Sequence, residues 1–403
     1  MDKERKIFAK KVKMHNILFA IGIIGVILLN IASWVSVSFS DWYVRYIFPI
    51  WLNTYARLTS KVSISVGEIM LIVGVSVTVF GIGLLAWNLI HKGKYKKTLK
   101  RFGSFYIWTV LIVSWVMTLN CFILYHTSSF YEKYMVCETD TEMMVASLSD
   151  DAVTKVQNSV IDERVYTRQE LALLRDFIVQ KCNALAEEFD RDDSGALYYD
   201  GDLIEASRQA MIKLGTEYDQ LAGFYVTPKY LSCSEFFSQQ YIMGYYFPFS
   251  MEANINSVMY ITNVAPTVCH ELAHTKGFIY EDDANMIGFL ACINSEDPFL
   301  QYCGYLSVLN YVNNDFFDSI GKNKNTYRNY VRISDKVIKD NIFLTPENWE
   351  TVEKKAVIKT STVKKVSETF METTLKLNGV EEGMLQYNQV VGLLLAYYDG
   401  ELY

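Results

Sequence analysis

Apolar residues are not spread evenly along the chain. Three long runs, over residues 17–39, 69–90 and 102–125, contain no Lys, Arg, Asp or Glu. A helix crosses the roughly 30 Å apolar core of a bilayer with about 20 such residues, and a charge placed inside is costly. The pattern predicts three transmembrane helices in an anchor spanning residues 1–126. Between the first two runs, residues 41–60 carry Trp42, Tyr43, Tyr46, Phe48, Trp51 and Tyr55. Aromatic rings favour the headgroup layer. This segment is expected to be a helix on the outer surface, interrupted at Pro49, or to pack beneath an outer domain.

Beyond residue 126 the apolar spacing becomes helical. Thr167 and Glu170 form a capping-box pattern that opens a helix to about residue 188. A second helix is expected over 203–222, ended by Gly223. Residues 224–263 lose this period and are rich in aromatic and β-branched side chains, with 256–261 the best short strand. Helices are expected again from about Pro266 to Gly277, and over 281–294, 298–316, 346–377 and 386–398, the 346–377 helix open to interruption by its β-branched residues. The fold class is a mainly α membrane protein: three N-terminal transmembrane helices, then an α-rich domain of residues 127–403 with a small β-sheet.

Charge adds the orientation. Six basic residues (Lys3, Arg5, Lys6, Lys10, Lys11, Lys13) precede the first run, and six (Lys92, Lys94, Lys96, Lys97, Lys100, Arg101) separate the second from the third. The first connection has Arg45, Arg57 and Lys61. By the positive-inside rule, the N-terminus is cytoplasmic and the domain after His126 extracytoplasmic, on a multi-pass protein of the cytoplasmic membrane. The lipid bilayer is thus an expected partner. No basic patch interleaved with aromatics lies outside the membrane flanks, which disfavours nucleic acid. The net charge of −7 adds little. Of seven cysteines, six fall outside the runs. A domain this large does not need a disulfide framework, so buried free thiols are expected, Cys292–Cys303 being the bridge considered.

The chemistry sits in one place. His270-Glu271-Leu272-Ala273-His274 has two histidines four residues apart around a glutamate, in a chain with only five histidines. On a helix both imidazoles project from one face, the spacing that grips zinc. A catalytic zinc usually takes three protein ligands and a water. Glu281, past the Gly277 turn at the start of the next helix, is the expected third ligand, with Asp283 the competitor. Asn285, one turn further, is expected to hold a histidine from behind, with Asp283 as another outer partner. Glu271 lies about 100° round the helix from His270, off the metal, where it can act as general base. Candidate transition-state donors are Tyr305, Tyr311 and Tyr387. The strand over 256–261, through Asn256, Val258 and Tyr260, is a candidate edge for an extended peptide.

HELAH, Gly277-Phe278, then Glu281 with Ala284-Asn285 resembles zincin metallopeptidases that use a glutamate as third ligand. With the three spans, Tyr246-Phe247-Pro248-Phe249, Glu252-Ala253-Asn254, Gly304-Tyr305-Leu306 and the ending over 390–398, the chain is similar to an uncharacterised bacterial family of zincin-like membrane proteins. Lys276 departs from the broader consensus, which prefers an apolar residue there, and Asn285 from a frequent Asp. The resemblance implies a zinc hydrolase. A membrane-anchored endopeptidase acting on an unknown peptide or protein is the first expectation. A non-catalytic zinc-stabilised scaffold or sensor, or a hydrolase of non-peptide amides in cell-wall material, are the alternatives.

Overall fold

The structure is a computed structural model and describes residues 2–135, 166–377 and 389–403. It is mostly helical, with one three-stranded sheet. Three helices are long and apolar enough to cross a membrane, with spans over Met14–Val35, Val66–Ile90 and Lys96–His126. The first belongs to helix α1 (Asp2–Val35). It stops four residues before the end of its apolar run because Ser36 caps the next helix, its Oγ accepting the Phe39 amide at 3.2 Å. That helix, α2 (Val37–Tyr46), is followed by broken helical turns over Phe48–Trp51, Leu52–Ala56 and Arg57–Ser60. The segment packs beneath the domain on one face and leaves the other exposed. Tyr43, Val44, Phe48, Leu52 and Ala56 are buried beneath the domain, while Trp42, Tyr46, Ile50 and Leu58 stay exposed.

Helices α3 (Val66–Ile90) and α4 (Lys96–Met117) complete the membrane part. The third span continues through a wider turn over Thr118–Phe122 and a tighter one over Ile123–His126. Its last residues are already inside the domain, with Ile123 and Leu124 fully buried.

The domain begins with α5 (Arg168–Leu185), opened by the Thr167–Glu170 capping box, and α6 (Leu203–Leu214). The second of these ends at Gly215, short of residue 222. The sheet comprises β1 (Lys229–Tyr230), β2 (Gly244–Phe247) and β3 (Glu252–Ile255) in the order β1-β3-β2. β1 runs parallel to β3 and β2 antiparallel, Gly244 opposite Ile255 and Phe247 opposite Glu252. Against β2 and β3 lies α7 (Val264–Thr275), all buried except Pro266 and His270. It is enclosed by α6, α8 (Glu281–Ile293) and α9 (Pro298–Ser319). The expected helix over 346–377 divides into α10 (Pro346–Lys355) and α11 (Thr360–Leu377), and α12 (Gln389–Tyr397) packs on α8 and α9.

Residues 256–261 are not a strand. The Asn256 side chain accepts the Val258 amide at 3.0 Å and donates to Ser238 Oγ and the Ile242 carbonyl. This local bonding turns the chain away from an extended path. The described cysteines are free, so Cys292 and Cys303 are not bridged.

Domain and membrane helices are joined by buried charge. Glu252 Oε2 accepts the Gly67 amide at 2.7 Å and Oε1 the Val66 amide at 3.2 Å. A carboxylate there satisfies orphan donors of α3 and complements the positive end of its dipole. Lys229 pairs with Glu252 and also donates to the Thr59 and Ile64 carbonyls. In return, Glu68 of α3 accepts the Ser232 and Cys233 amides at 2.8 and 3.0 Å. Removing one member of a buried pair costs roughly 3–5 kcal/mol. Glu252→Ala is therefore expected to lower the thermal unfolding midpoint in detergent markedly. Lys322→Ala, which breaks an exposed pair with Asp318, is expected to change it little. Equal midpoints for the two variants would contradict this junction.

Candidate metal centre

The site grows from the end of α7. The helix runs out at Lys276, and Gly277 takes a φ of +95°, which side chains with a Cβ resist. The chain reverses, and α8 begins at Glu281. Its carboxylate returns to the paired imidazoles: His270 Nε2 lies 3.1 Å from Oε2, and His274 Nε2 lies 3.9 Å from Oε1. One ligand atom from each of the three residues falls within 4.8 Å of the others.

The far sides of both rings are occupied. His270 Nδ1 is 2.9 Å from Asn285 Oδ1, and His274 Nδ1 is 2.7 Å from the Phe278 carbonyl. Both partners are acceptors, so each Nδ1 carries the proton. When both rings are neutral, their Nε2 lone pairs face the carboxylate. Two bare imidazole nitrogens and one carboxylate form a donor set suited to zinc with one position left over.

Titration follows from burial and mutual charge. Burial and the positive charge of His270 lower the His274 pKa to about 4. For His270 burial also acts downward, but the hydrogen bond and charge of Glu281 raise it overall. Burial acts upward on Glu281, and the histidines outweigh it and lower its pKa. Glu271 is driven chiefly by burial, to about 8. It is 4% exposed, and its Oε2 has no hydrogen-bond partner among the described residues. A Cβ on Gly244 would overlap its carboxylate, so only glycine lets β2 pass this close.

The outer candidates divide. Asn285 is behind His270 as expected. Asp283 is not behind either histidine; its Oδ2 accepts the Phe130 amide at 2.9 Å and ties α8 to the chain leaving the third span. Tyr305 sits in the core, its ring edge-on to Phe177 and Phe289. Tyr311 feels the charge of Glu281, which adds to burial in raising its pKa. Tyr387 lies outside the described residues. Asn256, Val258 and Tyr260 do not form an edge. The Val258 carbonyl accepts from Asn348, and the Tyr260 hydroxyl accepts the Leu197 amide.

The edge beside the site is β2. Met243 accepts the Asn256 amide, so alternation turns the main-chain groups of Tyr245 and Phe247 toward β3. Those of Gly244 and Tyr246 turn outward, where no described group bonds them. Tyr245 was not singled out by sequence reasoning, being one of 28 tyrosines. Desolvation of its hydroxyl and the negative charges of Glu271 and Glu281 raise its pKa. Lys276 fills the slot where an apolar residue was expected. Its stem is buried, and its Nζ donates to the Ala222 carbonyl over the Tyr225 ring. Burial lowers its pKa to about 7.

A family model described as "Protein of unknown function (DUF3810)" matches residues 43–395, and the chain belongs to that family. No curated protein and no solved structure matches it.

Glu271 ionises near 4.5 when unfolded and near 8 when folded in the chain without metal. Its ionisation therefore erodes stability as pH rises through that window. With metal chelated, Glu271→Gln is expected to raise the unfolding midpoint, by more at about pH 8 than at about pH 5. A difference from wild type that does not grow with pH would contradict the burial of this carboxyl.

Proposed function

We propose that this protein is a membrane-anchored, zinc-dependent hydrolase, most specifically an endopeptidase, with its domain outside the cytoplasmic membrane. The single observation that carries the reading is the convergence of His270 Nε2, His274 Nε2 and a Glu281 oxygen, with both Nδ1 atoms tied from behind. His270, His274 and Glu281 would hold the zinc. When bound, zinc supplies Lewis acidity that polarises a carbonyl and makes water nucleophilic near neutral pH.

The other steps belong to the chain's own residues. Glu271 is off the ligand set, and its Oε2 has no partner among the described residues, so it is free to accept a proton from water. The same oxygen then delivers that proton to the leaving amine. An extended peptide lies along β2, pairing with the outward groups of Gly244 and Tyr246. This places the scissile bond next to Glu271, because Gly244 touches that carboxylate. Tyr245, within electrostatic reach of both acids, joins Tyr311 as a candidate donor to the developing oxyanion. A non-catalytic scaffold would have no use for a buried carboxylate whose Oε2 has no partner among the described residues, beside a strand edge.

Orientation rests on the basic residues before the first span and between the second and third, which favour the cytoplasmic side.

Two outcomes test this. Asn285→Ala is expected to weaken zinc binding about 10–100-fold in a chelator competition, and Glu281→Ala to weaken it further. Wild-type affinity in Glu281→Ala would remove the third ligand. Glu271→Gln is expected to keep stoichiometric zinc while hydrolysis of a broad peptide library falls by about 100-fold or more. Undiminished hydrolysis would exclude Glu271 as the base.

A further inference from the structure

We infer that the substrate is itself anchored in the bilayer: a polypeptide cut within the few residues that leave the membrane on the domain's side. This rests on the hydrolase reading above and adds the class of substrate. The argument is positional. The candidate site is held between the ends of two spans, at the level of the bilayer surface.

On one side is the start of the second span. β2 begins at Gly244, against Glu271, and ends at Phe247, whose ring a Cβ on Gly67 would overlap. Gly67 is in the first turn of α3. Three residue steps along the strand, from Gly244 to Phe247, separate the proposed base from the membrane helix, about 10 Å.

On the other side is the end of the third span. Tyr280, which precedes the ligand Glu281, donates its hydroxyl to the Tyr125 carbonyl at 2.6 Å. The apolar run of this span begins at Phe102. From there to Tyr125 the chain rises about 35 Å if helical throughout, against an apolar core of about 30 Å. Tyr125 and the neighbouring Glu281 therefore stand at the surface layer, and any tilt brings them lower. The exposed rings of Trp42 and Tyr46 are of the kind that settle in that layer. Tyr43, between them, is bonded to the Leu119 carbonyl of the third span.

The height is fixed. Glu252 holds the amides of α3, Glu68 holds those of Ser232 and Cys233, and Asn120 donates to the Pro248 carbonyl just past β2. Among the described residues, these bonds hold the site to the ends of the spans. A chain leaving the bilayer beside α3 meets β2 at Phe247 and reaches Glu271 within three residues. Sharing one bilayer also confines substrate and enzyme to a thin layer, which raises their effective concentration.

The test uses the full chain, zinc-loaded, in vesicles of phosphatidylcholine and phosphatidylglycerol. The reporters carry a library of peptide segments directly after a single apolar helix. Matched reporters place the same segments about 30 residues further out, or free in solution; an extended linker of that length reaches well beyond the surface layer. The expected result is cleavage near the helix, at least about 100-fold faster than for the free segments, and lost in Glu271→Gln. Equal, Glu271-dependent cleavage of free and anchored segments would overturn the anchored-substrate inference and leave the hydrolase reading standing. So would indifference to distance from the helix. Cleavage confined to a lipid-linked amide without a peptide segment would overturn the substrate class. Failure to cut any reporter or amide would take the hydrolase reading down with it.

Discussion

A helix buried on nearly every face must still carry two imidazoles and a carboxyl at one end. Burying ionisable groups is costly unless their lone pairs and protons are resolved against one another. In α7 they are resolved from two directions. Asn285 and the Phe278 carbonyl take the Nδ1 protons, and Glu281 faces the two Nε2 atoms. The rest of the domain follows from keeping that arrangement. Gly277 makes the reversal, α8 brings both Glu281 and Asn285, and the sheet covers the side of α7 that carries Glu271. Glu271 is the exception that points to chemistry. It is buried, raised in pKa and missing a partner for Oε2, a state stability alone does not favour.

The second constraint is the passage from bilayer to domain. A helix leaving the apolar layer exposes amides that need acceptors. The domain supplies them with Glu252, and the membrane helix answers with Glu68. Lys229 balances the buried charge. The anchor is thus part of the same folded unit as the candidate site, and the polar bonds between them fix where that site stands relative to the apolar helices.

Much of this was legible in sequence, and the failures share a cause. The spans were visible because three charge-free runs of that length have few other uses. HELAH was visible because i, i+4 spacing fixes geometry without tertiary information, and Glu281 because Gly277 limits where the chain can go. Asp283 was misassigned since its partner, the Phe130 amide, lies 153 residues away. The strand was misplaced by a few residues: Asn256 to Ile261 has the composition, but the Asn256 side chain makes a turn. The outer strand beside the site, Gly244–Phe247, is four residues long, and its burial does not alternate. Its role depends on pairing with β3 and on passing Glu271, neither of which leaves a local signal. The Glu252 junction was hidden for the same reason, its amide donors lying 185 and 186 residues earlier.

The central claim concerns what fills the space between three side chains, so the most direct measurement looks at that space. It is the zinc K-edge X-ray absorption spectrum of the purified full-length protein, with metal content measured on the same sample. The account predicts one zinc per chain, a first shell of nitrogen and oxygen at about 2.0–2.2 Å with two imidazoles in the outer-scattering pattern, and no sulfur. A protein that purifies and folds without zinc and takes none up on titration would contradict it. So would a shell containing sulfur at about 2.3 Å, because none of the three proposed ligands carries it.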